Sequence, residues 1–189
     1  MKQTISEKEL VEACIKGNRE CQSELFNRFG QNLFAICLRY MEDYSTAQDE
    51  LQNGFLHIFK SLRSFKYQGE GSLSAWLSRV MVNHCLQALR KKKRHWISTE
   101  SLQLSEEMIE EPNEEVINRI PMSQLLRFIE ELPEGFRMVF NLYIFEEKSH
   151  REIAQLLGIQ EKSSSSQLYR AKLLLARKIN DYKKKGHHE

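Results

Sequence analysis

The sequence predicts an all-α fold built as two small helical domains. Three observations carry this. Apolar residues recur at spacings of three and four through most of the 189 residues. Only three prolines and eight glycines interrupt them, mostly where helices should break. No stretch of useful length alternates apolar and polar residues as a half-buried strand does. An acidic polar segment divides the helical pattern, so the expected organisation is a first domain over 1–95, a linker over 96–120 and a second domain over 121–185.

Ser6 and Glu9 form an S-x-x-E capping box at the first helix, with Ile5 placed as a staple residue and Leu10, Val11 and Cys14 on one face. The second helix runs from about Cys21 to Met41, with Leu25, Phe29, Leu33, Ile36, Cys37 and Tyr40 inward and Gly30 as its weak point. The third begins at Ser45, capped with Gln48, and turns Leu51, Phe55, Ile58, Phe59 and Leu62 inward. Gly69 and Gly71 make Phe65 to Ser72 a loop. Ser72 is the cap candidate for a fourth helix carrying Leu73, Trp76, Leu77, Val80 and Leu89, which ends in the basic run Arg90 to Arg94. The spacing of Trp76 with Leu73 and Val80 assigns it to the core.

From Trp96 to about Asn118 apolar periodicity fades, and Glu100 to Glu115 holds seven acids and no base. This composition predicts a flexible or partly ordered linker. Pro121 suits the first turn of the next helix, whose apolar stripe is Met122, Leu125, Leu126 and Ile129. Pro133 restarts the pattern with Phe136, Val139, Phe140 and Tyr143.

The stretch Ser149 to Lys172 is the most informative. Ser149 and Glu152 make a second capping box, and Ile153, Ala154, Leu156 and Leu157 follow on one face. Gly158 ends that helix, because the turn needs a positive φ. Ile159 plugs the gap before a second helix that buries Leu168, Ala171 and Leu175. Its other side presents Ser165, Ser166, Gln167, Tyr169 and Arg170. This is the layout of a helix-turn-helix, whose second helix enters the DNA major groove. A plain αα-hairpin that only packs against its neighbours would share the pattern.

Net charge is only +2, but it is unevenly spread. Basic blocks at Arg90 to Arg94 and Arg170 to Lys185 flank the acidic middle, which suggests two separate contacts with a polyanion. Cys14, Cys21, Cys37 and Cys85 form no C-x-x-C pair and the six histidines are scattered, so no zinc spacing, metal or other cofactor is expected. The cysteines read as buried reduced thiols. No apolar run approaches the roughly 20 residues of a membrane span. MKQTISEKEL lacks a signal-peptide core, so a cytoplasmic location is expected. No nucleophile–base arrangement or P-loop suggests an enzyme.

Three stretches, taken in order, resemble one family: AQDELQNGFLHIF at Ala47 to Phe59, SAWLSRVMVNHCLQALRKKKR at Ser74 to Arg94, and LPEGFRMVFNLYIFEEKSHREIAQLLGI at Leu132 to Ile159. The chain looks like an extracytoplasmic-function sigma factor, a short member of the sigma-70 family of RNA polymerase subunits. The resemblance implies a region 2 helical bundle and a region 4 helix-turn-helix. It implies that Asp49, Gln52 and Asn53 dock on the large-subunit clamp of core RNA polymerase, with Asn53 replacing an acid and Glu50 replacing an apolar residue. It makes 65–72 the loop that traps a flipped base of the −10 element, using Lys66, Tyr67 and Gln68. Asn83 would read a −10 base with His84 beside it, while Arg79, Arg90, Lys91 and Lys92 bind phosphates.

For the −35 element, the resemblance implicates Ser165, Ser166, Gln167, Tyr169, Arg170 and Lys172. Arg170 could take two acceptors of a guanine or a phosphate. Ser164 stands where the family usually has a buried apolar residue, and its hydroxyl would need a backbone acceptor. Partners implied are core polymerase, promoter DNA and an anti-sigma factor. The acidic linker would pass through the channel that RNA later occupies. The rival reading is a stand-alone helix-turn-helix regulator, which predicts tight duplex binding without polymerase.

Overall fold

A computed structural model describes residues 5–41, 43–92 and 112–186. The chain divides into two compact units, Met1–Lys92 and Lys93–Glu189. Every regular element among the described residues is helical. Lys93, Arg94, Trp96, the acids from Glu100 to Glu111 and the His187–His188 pair lie outside the described residues, as do the side chains of Lys91, Lys92 and Lys185.

In the first unit, α1 (Glu7–Ile15), α2 (Arg19–Tyr40), α3 (Tyr44–Ser61) and α4 (Ser72–Lys92) pack around one core. The Ser6 hydroxyl accepts from the Glu9 N–H and the Glu9 carboxylate accepts from the Ser6 N–H, completing the expected capping box. Two termini differ from expectation. Helix α2 is capped by Asn18, whose side chain accepts from the Cys21 N–H, and it continues through Gly30 without a break. Helix α3 is capped by Asp43 rather than Ser45. The Asp43 carboxylate takes both the Thr46 N–H and the Thr46 hydroxyl at 2.8 Å, and its charge suits the positive end of the helix.

Leu25, Leu33, Cys37, Tyr40, Ile58, Leu62, Leu73, Leu77, Met81 and Cys85 are essentially inaccessible. Helices α3 and α4 meet so closely that a Cβ on Gly54 would lie 2.5 Å from Met81 Sδ. Cys14, Cys37 and Cys85 are buried and free, whereas Cys21 is free and half-buried. Burial pushes the Cys14 thiol up to about 11. The neighbouring Cys37 thiol and burial push Cys85 well above the ordinary range.

The second unit holds α5 (Glu114–Asn118), α6 (Met122–Glu130), α7 (Glu134–Ile144), α8 (His150–Leu157) and α9 (Glu161–Lys185). Residues 114–118, the last part of the expected linker, form a helix capped by Asn113. Their Val116 and Ile117 pack against Ile120, Phe128 and Ile179, which explains why these residues are ordered despite their acidic neighbours. The stripe of α6 keeps Leu125 and Ile129 inward as expected, adds Phe128 and loses Met122. Phe128 and Ile129 are buried, and Met122 is 70% exposed, because α6 meets α9 through Phe128.

A second cluster joins Leu132, Phe136 and Ala171. Arg137 is buried, and its guanidinium donates to the Glu130 carbonyl at the end of α6, completing that helix C-terminus. Burial raises the Glu130 carboxyl above its usual range, opposed by Arg137 and Arg127.

Candidate nucleic-acid interface

Three solvent-facing stripes carry the residues singled out by sequence. The first lies on α3. Leu51, Phe55 and Ile58 turn into the core, so the 3.6-residue period sends Asp49, Gln52 and Asn53 outward. All three are exposed. Leu56 falls in the middle of the same face and is 60% exposed, a large apolar group among polar neighbours. Glu50, one residue from Asp49, turns instead toward α4. Its carboxylate lies 2.8 Å from His84 Nε2, and the His57 ring stacks over His84 at 6.2 Å.

The second stripe combines the loop at 65–72 with α4. Gly69 and Gly71 have φ of 109° and 85°, the left-handed region that the turn requires. The Ser72 hydroxyl does not cap α4. It accepts from the Gln68 N–H at 3.2 Å and donates to the Gly69 carbonyl at 2.6 Å, closing the loop on itself. The start of α4 is met from far away in sequence. Glu7 accepts from the Gly71 and Leu73 N–H groups, each at 3.2 Å. Lys66, Tyr67 and Gln68 are exposed. The Tyr67 hydroxyl donates to Glu70 at 3.3 Å, and desolvation together with the Glu70 charge raises its pKa, so it stays a neutral donor.

Beneath the loop, Trp76 packs on Phe65 at 5.5 Å and is half-buried, in keeping with a packing role. Along α4, Arg79, Asn83 and Arg90 share one exposed face. Gln87 belongs to it as well, four residues after Asn83. His84, expected beside Asn83 at this surface, is half-buried and engaged with Glu50.

The third stripe is on α9. In α8, the Ser149 hydroxyl accepts from the Glu152 N–H and Glu152 accepts in return from the Ser149 N–H. Hydrogen bonds from the Ser149 N–H and hydroxyl hold the Glu152 carboxyl below its usual range. Gly158 sits at φ 68°, ψ 34° and turns the chain into α9. Ile153, Leu157 and Leu168 are buried, and Ala171 packs with Leu132 and Phe136. Ser165, Ser166, Tyr169 and Lys172 then project outward on one face, with Tyr169 65% exposed. Gln167 and Arg170 lie to its side and are half-buried. Ser164 is fully buried, and its hydroxyl partner is the His150 Nδ1 at 3.0 Å rather than a backbone carbonyl. Tyr143 stacks on the other side of that imidazole at 4.9 Å. Neither of these partners is within a turn of Ser164 in sequence.

Residues 25–95 match the family described as Sigma-70 region 2, and residues 122–175 match Sigma-70, region 4. The chain belongs to the sigma-70 family. It is similar to the ECF RNA polymerase sigma factor SigW of Bacillus subtilis, at 22% identity over 92% of this chain and 97% of that protein. It is similar too to the ECF sigma factor SigM of Mycobacterium tuberculosis, at 28% identity over 91% of this chain and 84% of that protein. Among solved structures, the sigma factor RpoE of Bartonella quintana, crystallised with the anti-sigma factor NepR, aligns with a TM-score of 0.49. That alignment has 16% identity and covers 84% of this chain and 96% of the other.

This sigma factor is of the extracytoplasmic-function type and directs promoter-specific transcription initiation by RNA polymerase. Its described residues include no helix long and apolar enough to cross a membrane. The first two stripes fall inside region 2 and the third inside region 4. Three residues escaped the sequence reading. Leu56 and Gln87 were legible from the same periodicity that selected Asn53 and Asn83. Glu7 had no local signal, because its contacts lie 64 and 66 residues away.

Proposed function

We propose that the three stripes divide the work of initiation. Asp49, Gln52 and Asn53 dock this sigma factor on the clamp of core RNA polymerase, and Leu56 supplies an apolar anchor at the centre of the face. Such an anchor inside a polar rim is the usual anatomy of an interface. Lys66, Tyr67 and Gln68 hold a −10 base outside the stack, Asn83 reads a −10 base, and Arg79, Arg90, Lys91 and Lys92 position the strand on its phosphates. Ser165, Ser166, Tyr169 and Lys172 meet the −35 duplex in the major groove, with Gln167 and Arg170 at the edge of that contact. The functional parts are then 1–95 for polymerase and −10 binding, a linker from residue 96, and 121–185, with α5 and Ile120 packed against it, for −35 binding. The protein acts without chemistry of its own, in the cytoplasm, and an anti-sigma factor regulates it.

The observation that carries this reading is the exposed polar face of α3 around Leu56, on the same compact unit as the Asn83 face. A stand-alone regulator has no use for the first. The test is run-off transcription on genomic DNA with and without core polymerase. Transcripts from defined starts should need both proteins. Asp49→Ala or Leu56→Ala should weaken binding to core while leaving −10 selectivity, and Asn83→Ala should do the reverse. Tight duplex binding by the isolated chain, with no response to polymerase, would establish the rival instead.

A further inference from the structure

Helix α1 lies outside the matched region 2, which begins at residue 25, yet it reaches into the loop that region 2 uses. Glu7 stands in its first turn and is 7% exposed. A carboxylate buried to that degree is costly unless charge-assisted hydrogen bonds compensate. Both of its oxygens are used. One accepts from the Gly71 N–H and the other from the Leu73 N–H, each at 3.2 Å. These donors sit at the positive end of α4, which has no acid in its own first turn. The negative group that this helix end favours is therefore imported from α1.

Glu7 is itself held firmly. The Ser6 capping box fixes the start of α1, and Leu10, Val11 and Cys14 bury its inner face. Arg28 of α2 donates to the Ile5 carbonyl at 3.1 Å, anchoring the chain just before it. The loop is held on one side by Phe65 on Trp76 and within by Tyr67–Glu70 and Ser72, while the N–H groups of Gly71 and Leu73 at its far end depend on Glu7. Gly69 and Gly71 adopt left-handed backbone with nothing packed where a Cβ would stand. Glycine gives up much conformational freedom when ordered this way. Within the loop, Ser72 ties Gln68 to Gly69, and Glu7 supplies the tie at the far end.

We propose that Glu7 is a positioning residue for the base-capturing loop: by clamping Gly71 and Leu73 it presets the path of residues 65–72, so that Lys66, Tyr67 and Gln68 meet the extruded −10 base without first ordering the backbone. Pre-organisation of this kind raises affinity and discrimination by removing an entropic cost from the binding step. The inference rests on the reading of 65–72 as the capture loop.

The test uses the full chain with core polymerase on a promoter recovered by run-off, its −10 region pre-melted as a bubble. The quantity measured is the ratio of open-complex formation between the native promoter and versions with single −10 bases changed. Glu7→Ala removes both hydrogen bonds and should lower that ratio at least about tenfold, with core affinity within about twofold of the parent. Glu7→Gln keeps volume and one oxygen acceptor and should lose about threefold. Should Glu7→Ala reduce the helical circular-dichroism signal, Glu7→Gln decides alone by the same ratio. If Tyr67→Ala or Gln68→Ala lowers discrimination while both Glu7 variants keep it within about twofold, the positioning role is refuted and the loop reading stands. If loop and Glu7 variants all leave discrimination unchanged, the loop reading fails and takes this inference with it.

Discussion

Gly54→Ala sets two effects of known size against each other. In an isolated helix the change would stabilise by about 1 kcal/mol, since glycine is a poor helix former. At this position the new methyl would stand 2.5 Å from Met81 Sδ and 2.6 Å from Met81 Cε, with His84 Cδ2 at 3.4 Å. Methionine is flexible, but Met81 is fully buried and its end cannot swing into solvent. It must repack against its neighbours or push α3 and α4 apart. Overpacking of this type costs about 1–3 kcal/mol. The net expectation is a destabilisation of about 0–2 kcal/mol instead of a gain. Amide hydrogen exchange resolves it, read separately on peptides from α3, from α4 and from the second unit. Protection should fall in α3 and α4 and stay constant elsewhere. Shortening the neighbour by Met81→Val should make the alanine better tolerated, with a coupling of at least about 0.5 kcal/mol. A full 1 kcal/mol gain in α3 protection, or no coupling to residue 81, would show that the close approach is not what requires glycine.

Other outcomes follow from single contacts. Ser164→Ala leaves the His150 Nδ1 without its buried partner and should cost about 1 kcal/mol, visible as a lower midpoint in urea unfolding of the second unit. The Glu9 and Glu152 carboxyls are held below their usual range by their serine caps, so their folded pKa values lie under the unfolded ones. The capping contribution is therefore complete above the unfolded value and disappears as pH falls through the folded one. An NMR titration should find both carboxyls protonating at lower pH than an uncapped glutamate in an unfolded peptide. Iodoacetamide at mildly alkaline pH should label half-buried Cys21 well before Cys14, whose thiol is pushed up to about 11, and before Cys37 and Cys85, as peptide mass spectrometry would read.

What could be read from the sequence followed the range of the interaction. Both serine–glutamate capping boxes pair residues three apart, so the local pattern contains the whole motif. The Gly158 turn and the outward faces of α3, α4 and α9 follow from one period each. Asp43 shows where local reading becomes ambiguous. Ser45–Gln48 and Asp43–Thr46 overlap, and the carboxylate prevails because a charged acceptor bonds more strongly and suits the positive helix end. Met122 was assigned inward because it falls on the apolar period, but the partner surface around Ile179 selects Phe128. His84 and Ser164 were misplaced or mispartnered for a related reason. Each is satisfied across a helix–helix contact, by Glu50 and by His150, and a period cannot name a partner on another helix. Glu7 is the extreme case, with its role visible only once α1 and α4 are side by side.

Helix α9 is continuous over 25 residues, about 37 Å at 1.5 Å per residue. Its first turns expose Ser165, Ser166 and Tyr169, while Ala176 and Ile179 are buried two and more turns further on. Serines contribute little to helix formation, so these turns are held chiefly by their buried face, Ser164, Leu168 and Ala171. On the proposed −35 role of this face, retargeting to a new DNA sequence proceeds by exchange of surface letters, with the buried face of the helix unchanged. Such a division allows related proteins to diverge in their promoters faster than in their architecture.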